Sequence, residues 1–421
     1  MYTKENRNLL EGDLLSVLPT LPDNHFDAVL CDPPYHLTQN SRGGAARKCS
    51  QQAGDGGTTP YGRHRVGTDT SSGKGFMGQT WDGGDVAFRP ETWEAVMRVM
   101  KPGAYLMAFG GSRTFHRLAV ALEDAGFTLV DTLMWLYSTG FPKSHNVSKA
   151  IDKTLGNRRE TIGVRKHPTL KNTDLLEESA NAAHGNNSWM REWHITAPGC
   201  EESRWFEGYG TALKPAYEPI LLCRKPGEKT YAANAMEWGC GALNIDGGRI
   251  EAPNETLSGG AGVTWSRQRD GKGAPEDNGY TPSPLGRWPA NVMFDESAAD
   301  ILDAQAGVRE SGVSRFFYVT KVSTKERQAG MGERENDHPT MKPIDLARQL
   351  ATLLLPPGRT DGTARRLLVP FSGSGSEMIG ALLAEWDEVT GIEQSAEYAV
   401  IARKRLAWWA GETLVPMKKT L

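Results

Sequence analysis

Residues 364–393 read ARRLLVPFSGSGSEMIGALLAEWDEVTGIE, and the reading of this stretch decides the fold. The short apolar run LLVPF predicts a strand. The glycine turn behind it opens into SEMIGALLAEW, whose spacing predicts a helix, and DEVTGIE predicts the next strand. Strand, turn, helix and strand form the repeating unit of a parallel α/β sheet. The turn has the pattern F-x-G-x-G, here Phe371, Gly373 and Gly375. Such glycines let the backbone approach a ligand, and the helix N-terminus behind them offers free N–H groups. Taken alone, the pattern is equally a tight strand-to-helix turn. The second strand ends at Glu393, 20 residues beyond Gly373. A carboxylate at that spacing can accept hydrogen bonds from two ribose hydroxyls, although a solvated strand-end charge is the plainer alternative. No lysine follows the glycines in Walker fashion, which favours a nucleoside over a nucleoside triphosphate.

Regular pattern extends outward from this core. MKPIDLARQLATLLL (341–355) predicts a helix ended by Pro356-Pro357-Gly358, and SAEYAVIARKRLAWWA (395–410) predicts a final helix. At the other end of the chain, DAVLC (27–31) predicts a buried strand. ETWEAVMRVMKPG (91–103) predicts a helix stopped by Pro102-Gly103, followed by a strand at GAYLMAF (103–109). SRTFHRLAVALEDAG (112–126) predicts a helix and TLVDTLMWL (128–136) a strand. Residues 36–80 lack periodicity and read as a long mobile loop. The middle, 141–335, is polar and rich in Gly, Pro, Asn and Trp. EPILLCRK (218–225) is its best strand and a candidate for the main sheet. GALNIDGGRI, LGRWPANVMF and RFFYVTK are short apolar islands. The expected division is therefore an α/β half at 1–140, an irregular insert at 141–335, and a second α/β half at 336–421.

Residues 31–35, CDPPY, follow the first buried strand directly. Two prolines cannot continue a strand or a helix, so the chain leaves the sheet in a stiff, extended loop. That loop fixes Asp32 and the Pro33 carbonyl, with the Tyr35 ring beside them. A carboxylate and a carbonyl can each accept one hydrogen of an amino group on a planar base. The base can stack on Tyr35, a contact worth about 1–3 kcal/mol at other stacked-base sites. A capped turn is the bland alternative.

Asp32-Pro33-Pro34-Tyr35 resembles the D-P-P-Y catalytic motif of amino-methylating DNA methyltransferases. Phe371-Ser372-Gly373-Ser374-Gly375 resembles their F-x-G-x-G cofactor motif, and His338-Pro339-Thr340-Met341-Lys342-Pro343 resembles the H-P-T-x-K-P segment that precedes it. Catalytic motif first and cofactor motif last is the order of the β group, and the long middle is similar to recognition inserts of phage and prophage members. The resemblance covers roughly 1–35, 91–140 and 338–410. It implies a circularly permuted Rossmann-like fold in which the terminal halves share one sheet and the insert recognises the target. It implies S-adenosylmethionine as cofactor, bound by Phe371, Ser372, Gly373, Ser374, Gly375, Ser376 and Glu393, with His338, Thr340 and Lys342 contributing. Asp13, in LLEGDLL, matches an acidic position near the cofactor adenosine, though a helix-capping aspartate reads as well. The implied substrate is adenine in double-stranded DNA, flipped out of the helix and methylated at its 6-amino group. Relatives of the β group are often dimers, so a homodimer is open. Two departures stand out. Val369 replaces the aspartate that usually holds the methionine amino group, and Ser376-Glu377 replaces Thr-Thr.

Composition limits the alternatives. The chain has 421 residues, a net charge of -3 and five cysteines without a C-x-x-C pair. Neither a disulfide framework nor a zinc site is expected. The N-terminal residues lack the apolar core of a signal peptide, and no stretch reaches the length of a membrane helix, so a cytoplasmic protein is expected. No metal is called for. Basic residues gather at 36–75 and 141–171, as phosphate contacts or as a solvated face. The tryptophans of the middle region (Trp189, Trp193, Trp205, Trp238, Trp288) read as a small local core. A Pro-Cys nucleophile motif is absent, which disfavours ring-carbon methylation. The alternatives are the 4-amino group of cytosine, RNA or a protein amide as substrate, and an inactive DNA-binding scaffold. Asp rather than Ser at position 32 favours adenine.

Overall fold

The computed structural model describes residues 6–35, 85–140, 144–166, 192–251, 286–307, 313–320, 326, 328–331 and 341–411. In chain order the strands are β1 (Arg7–Glu11), β2 (Phe26–Cys31), β3 (Met100–Phe109), β4 (Thr128–Leu136), β5 (Thr161–Lys166), β6 (Glu192–Thr196), β7 (Tyr217–Arg224), β8 (Val292–Asp295), β9 (Tyr318–Thr320), β10 (Arg366–Pro370) and β11 (Glu388–Glu393). The α-helices are α1 (Leu14–Val17), α2 (Pro90–Val99), α3 (Phe115–Asp124), α4 (Val147–Leu155), α5 (Glu201–Trp205), α6 (Tyr231–Trp238), α7 (Glu296–Ala306), α8 (Ile344–Leu354), α9 (Ser376–Leu383) and α10 (Ala396–Trp409).

Nine strands form one sheet in the order β1-β11-β10-β2-β3-β7-β4-β8-β9. All pairings are parallel except those of β7, which runs against both β3 and β4. This is a doubly wound, Rossmann-like arrangement. Strand β2 explains why both faces are covered, because all six of its residues are buried. Side chains alternate across a strand. Ala28 and Leu30 therefore join Leu346, Leu350, Met378 and Ile379 of α8 and α9 on one face. Val29 and Cys31 join Trp93, Val96, Leu118 and Leu122 of α2 and α3 on the other. The C-terminal strand β10 lies against the N-terminal strand β2, with Leu367 opposite Ala28 and Leu368 opposite Val29. Buried Asp27 ties them further, accepting from the Arg366 N–H at 2.8 Å and from Lys101 Nζ at 2.5 Å.

Two expectations are corrected. Helix α2 does not run to Pro102-Gly103. It ends at Val99, and Met100–Phe109 is already strand. The register between β2 and β3 shifts between Phe26 and Ala28, so the Lys101–Ala104 segment bulges. Gly103 takes a φ of 75° there, and the Pro102 carbonyl accepts from Asn234 Nδ2 at 3.1 Å. The insert expected at 141–335 is also smaller. Met1–Thr139 and Ala216–Leu421 form one compact unit, and Gly140–Pro215 forms another. EPILLCRK supplies β7 within the main sheet. The islands VMF and YVT extend its edge as β8 and β9, too short to show a period in the sequence. The tryptophans do not gather in one core either. Trp238 packs on the second core cluster, whereas Trp205 and Trp288 are each 65% exposed. Trp189 lies outside the described residues. Among the described residues no helix is long and apolar enough to cross a membrane.

The unit Gly140–Pro215 is organised around one buried aspartate. Helix α4 begins at Asn146, whose side chain accepts from the Lys149 N–H at 2.8 Å. Its Asp152 is 1% exposed and accepts from Arg159 Nη1 at 2.7 Å, the Gly199 N–H at 3.0 Å and Cys200 Sγ at 3.3 Å. Burial alone would raise this carboxyl. The hydrogen bonds from Gly199, Ser203, Cys200 and Arg159 outweigh it and lower the group to about 2. A carboxyl lowered on folding gives stability that is full above its unfolded value of 3.8 and is lost as pH falls through about 2. Protection of the 147–155 amides, relative to their intrinsic exchange rate at each pH, should therefore hold at about pH 4 and fall toward pH 2. Asp152→Asn should weaken protection already near neutrality and flatten that acid limb. An unchanged limb would remove Asp152 from this role.

Candidate active site

The site lies where the parallel strands end. Strand β10 leaves the sheet through Phe371, a non-glycine residue at φ 60°. Its ring packs on the second core cluster, 6.4 Å from Trp93 between centroids. The turn closes on itself. The Ser372 N–H donates to the Ile392 carbonyl at 2.9 Å, and the Gly375 N–H to the Ser372 carbonyl at 2.7 Å. Gly375 has φ 80°, and a Cβ there would come within 3.2 Å of Ala402 Cβ. The sequence therefore needs glycine at this point. Arg405 of α10, wholly buried, braces the turn from behind. Its Nη1 donates to the Ser374 carbonyl at 2.6 Å, Ser374 Oγ at 3.0 Å and Ser376 Oγ at 3.1 Å. Burial lowers its guanidinium to about 10, with Glu377 and Glu326 opposing the fall.

Glu393 ends β11 beside this turn. Its Oε2 accepts from the Gly373 N–H at 2.7 Å and its Oε1 from the Ser395 N–H at 2.8 Å. Burial raises the carboxyl, and these backbone N–H groups counter the rise. Each oxygen keeps acceptor capacity for a further donor, which suits a pair of vicinal hydroxyls. The Gly12 N–H donates to the Glu393 carbonyl at 2.9 Å, which brings Asp13 to the neighbouring strand end. Asp13 Oδ1 itself caps α1 through Leu15 and Ser16, at 3.0 and 3.2 Å. Ser372 Oγ is buried and has no hydrogen-bond partner among the described residues.

The D-P-P-Y loop leaves β2, the strand next to β10, at the same edge. Asp32 Oδ2 accepts from Lys342 Nζ at 2.7 Å. The same ammonium lies 3.0 Å from Glu218 Oε2 and 3.1 Å from the Tyr35 hydroxyl, which itself lies 3.2 Å from Glu218 Oε2. Lys342 thus has three acceptors for its three N–H groups, and it sits 4.8 Å from the Phe109 ring centroid. Burial pulls its pKa down, but Asp32 and Glu218 outweigh burial and raise it. Burial, with Asp32 and Glu218, also pushes the Tyr35 phenol well above its ordinary value, so it stays protonated. The loop is pinned from outside as well, because Thr114 Oγ1 donates to the Tyr35 carbonyl at 3.1 Å.

One atom of this cluster is left over. Asp32 Oδ1 is buried and has no hydrogen-bond partner among the described residues. A buried carboxylate oxygen without a donor is costly, so this one is suited to accept a hydrogen bond from a substrate. Two carboxyl groups gather around one ammonium, so acceptors outnumber cations in the cluster. It would accept a polarised N–H and resist an anion.

The residues expected to hold cofactor do not all lie together. Phe371 to Ser376 and Glu393 form one cradle. Lys342, expected with them, is bonded to Asp32, Tyr35 and Glu218 instead. His338 and Thr340 lie outside the described residues, as does the basic stretch 36–75. Val369 is fully buried in the core. Sequence reading missed Glu218. Because β7 runs against its neighbours, its first residues fall at the carboxyl edge of the others. A charged residue opening an apolar strand was the available signal. Glu377, which opens α9 behind Ser376 where the family has Thr-Thr, is only 5% exposed.

The model of the DNA methylase family (N6 and N4 methyltransferases) matches residues 26–404. The chain belongs to the DNA methylase family. It is 23% identical over 246 residues to the Type II methyltransferase M.HindIII of Haemophilus influenzae, a match covering 56% of this chain and 64% of that protein. The chain therefore spans under two thirds of that relative. Among solved structures it is similar to PvuII DNA methyltransferase (cytosine-N4-specific), at 13% identity and a TM-score of 0.44, covering 96% of this chain and 87% of that one. It is also similar to TTHA0409 of Thermus thermophilus in complex with S-adenosyl-L-methionine, at 14% identity and a TM-score of 0.37, with 96% and 94% covered.

Proposed function

We propose that this DNA methylase binds S-adenosylmethionine and methylates the 6-amino group of an adenine flipped out of double-stranded DNA. The observation that carries the reading is Asp32. One of its oxygens is held by Lys342, and the other is buried, unpartnered and at the strand edge next to the glycine cradle. S-adenosylmethionine supplies an electrophilic methyl group on a sulfonium. The chain supplies the rest. Glu393 holds the ribose hydroxyls against the glycine turn. Asp32 Oδ1 and the Pro33 carbonyl accept the two amino hydrogens, which fixes the nitrogen and raises its electron density. The nitrogen would take the methyl group as the methyl's bond to the sulfonium sulfur breaks and leaves a neutral thioether, and it would lose one proton, which Asp32 Oδ1 accepts and passes to solvent. Tyr35, locked by Lys342 and Glu218, lies beside the extruded base. Recognition of the DNA sequence falls to the middle region, chiefly Gly140–Pro215. The order of the halves in the chain is a circular permutation of the usual sheet.

Nuclease digestion of DNA treated with the protein and cofactor, followed by nucleoside mass spectrometry, tests the reading. N6-methyldeoxyadenosine is expected. N4-methyldeoxycytidine would move the same chemistry to cytosine, and no methylated nucleoside would end the proposal. The cofactor half has its own test. Glu393→Ala removes the acceptor of two backbone N–H groups, each costing about 1–3 kcal/mol when left bare. Calorimetry should show binding of S-adenosylmethionine weakened at least about tenfold. Unchanged affinity would exclude Glu393 from the ribose.

A further inference from the structure

We propose that Glu377 is the carboxylate that holds the α-ammonium group of S-adenosylmethionine, a role that rests on the cofactor reading above. Glu377 is the second residue of α9, directly behind the glycine turn, and is buried, with 5% of its surface exposed. The charged and titratable groups facing it are Asp32 and Cys31 at the end of β2, Lys342 ahead of α8 and Arg405 on α10. No cation among the described residues pairs with it. Lys342 is held by Asp32, Glu218 and Tyr35, and Arg405 Nη1 by Ser374 and Ser376, while Arg405 Nε and Nη2, buried and unpartnered among the described residues, make no hydrogen bond to Glu377 and act on it through charge alone. Burial, then the charge of Asp32, push the Glu377 carboxyl up to about 7. Lys342 and Arg405 only partly offset this, so a cation that donates to the carboxylate directly would stabilise it.

Two further observations point to a ligand at this place. Ser372 Oγ, on a residue 1% exposed, and Asp32 Oδ1 are both buried and unpartnered among the described residues. They follow the ends of adjacent strands, Ser372 in the glycine turn and Asp32 beside it. Val369, on the strand leading into it, is buried and offers no charge. The cofactor carries two cations. The sulfonium has no N–H, so it would leave the lone pairs of a buried carboxylate unsatisfied. The ammonium has three donors and suits that carboxylate. On binding, Glu377 gives up its proton to solvent while the ammonium keeps its own, and a charge-assisted hydrogen bond forms.

The test is calorimetry at about pH 7 in two buffers of different ionisation enthalpy. The native protein should release a fraction of a proton per S-adenosylmethionine bound near neutrality. That count needs no variant. Glu377→Gln should abolish the release and weaken both S-adenosylmethionine and S-adenosylhomocysteine by about ten- to a hundredfold. 5′-Methylthioadenosine lacks the amino-acid moiety and should bind both proteins alike. A carboxyl raised on folding stabilises below its unfolded value of 4.5 and loses that contribution as pH rises through about 7. Ligand-free Glu377→Gln should therefore melt no lower than the native protein at about pH 8. Unchanged affinity and proton release in the variant would overturn the assignment. So would a loss shared by methylthioadenosine, or one confined to S-adenosylmethionine, which would point to the sulfonium. A native protein that binds no S-adenosylmethionine would overturn the cofactor reading itself.

Discussion

Asp32→Ala is expected to reduce methyl transfer at least about a thousandfold, while S-adenosylmethionine still binds within a few-fold of its native affinity. The size follows from what is lost. Removing one preorganised group at a reacting centre costs about 10²–10³ in rate. Here the same carboxylate also takes the departing proton, which adds a general-base contribution of about 10²–10⁴. Cofactor affinity is spared because the cradle is built elsewhere, from Phe371–Ser376 and Glu393. Folding is spared because Lys342 keeps Glu218 at 3.0 Å and the Tyr35 hydroxyl at 3.1 Å. Single-turnover transfer of a labelled methyl group, set beside calorimetry of the same variant, separates the two effects. Retained transfer would remove Asp32 from the chemistry. Loss of cofactor binding would place it in the cradle.

Lys342→Met should produce the largest loss of stability of any single change at the site. Among the described residues Lys342 is the cation bonded to both Asp32 and Glu218, and its side chain is 5% exposed. Breaking a buried ion pair by removing one partner costs about 3–5 kcal/mol. Two carboxyl groups would then face each other without a cation. Transfer should fall with stability, because Asp32 Oδ1 is no longer held in its orientation. Denaturant unfolding measures the first effect. Adding Glu218→Gln to Lys342→Met removes the stranded charge and should recover part of the loss, a coupling that a double-mutant cycle reads directly. A single variant within about 1 kcal/mol of native stability would contradict the burial argument.

Much of this is legible in the sequence, for identifiable reasons. The F-x-G-x-G turn and D-P-P-Y each need residues with few substitutes. Gly375 has a φ of 80°, which side-chain-bearing residues rarely adopt, and the prolines end β2 at a fixed point. Long periodic segments such as α8 and α10 also read correctly. What the sequence hides depends on contacts distant along the chain. The end of α2 departs from expectation because Pro102 and Gly103 sit in a bulge shaped by Asn234, more than a hundred residues away. Strands β8 and β9 are too short to carry a period, so the insert looks larger than it is. Glu218 reaches the site only because β7 runs antiparallel, a property of the assembled sheet. Lys342 groups with the cofactor by its neighbours in sequence, yet its ammonium is directed at Asp32. Glu377 looks like a surface helix-end charge because nothing local reveals that α9 packs its first turn inward.

The most direct test is the structure of the protein with S-adenosylmethionine, or an unreactive analogue, and duplex DNA. The cofactor ribose is expected on Glu393, and the amino nitrogen of an extruded adenine about 2.7–3.2 Å from Asp32 Oδ1. A target base bound with its amino group away from Asp32, or a cofactor seated outside the Phe371–Ser376 turn, would contradict that placement.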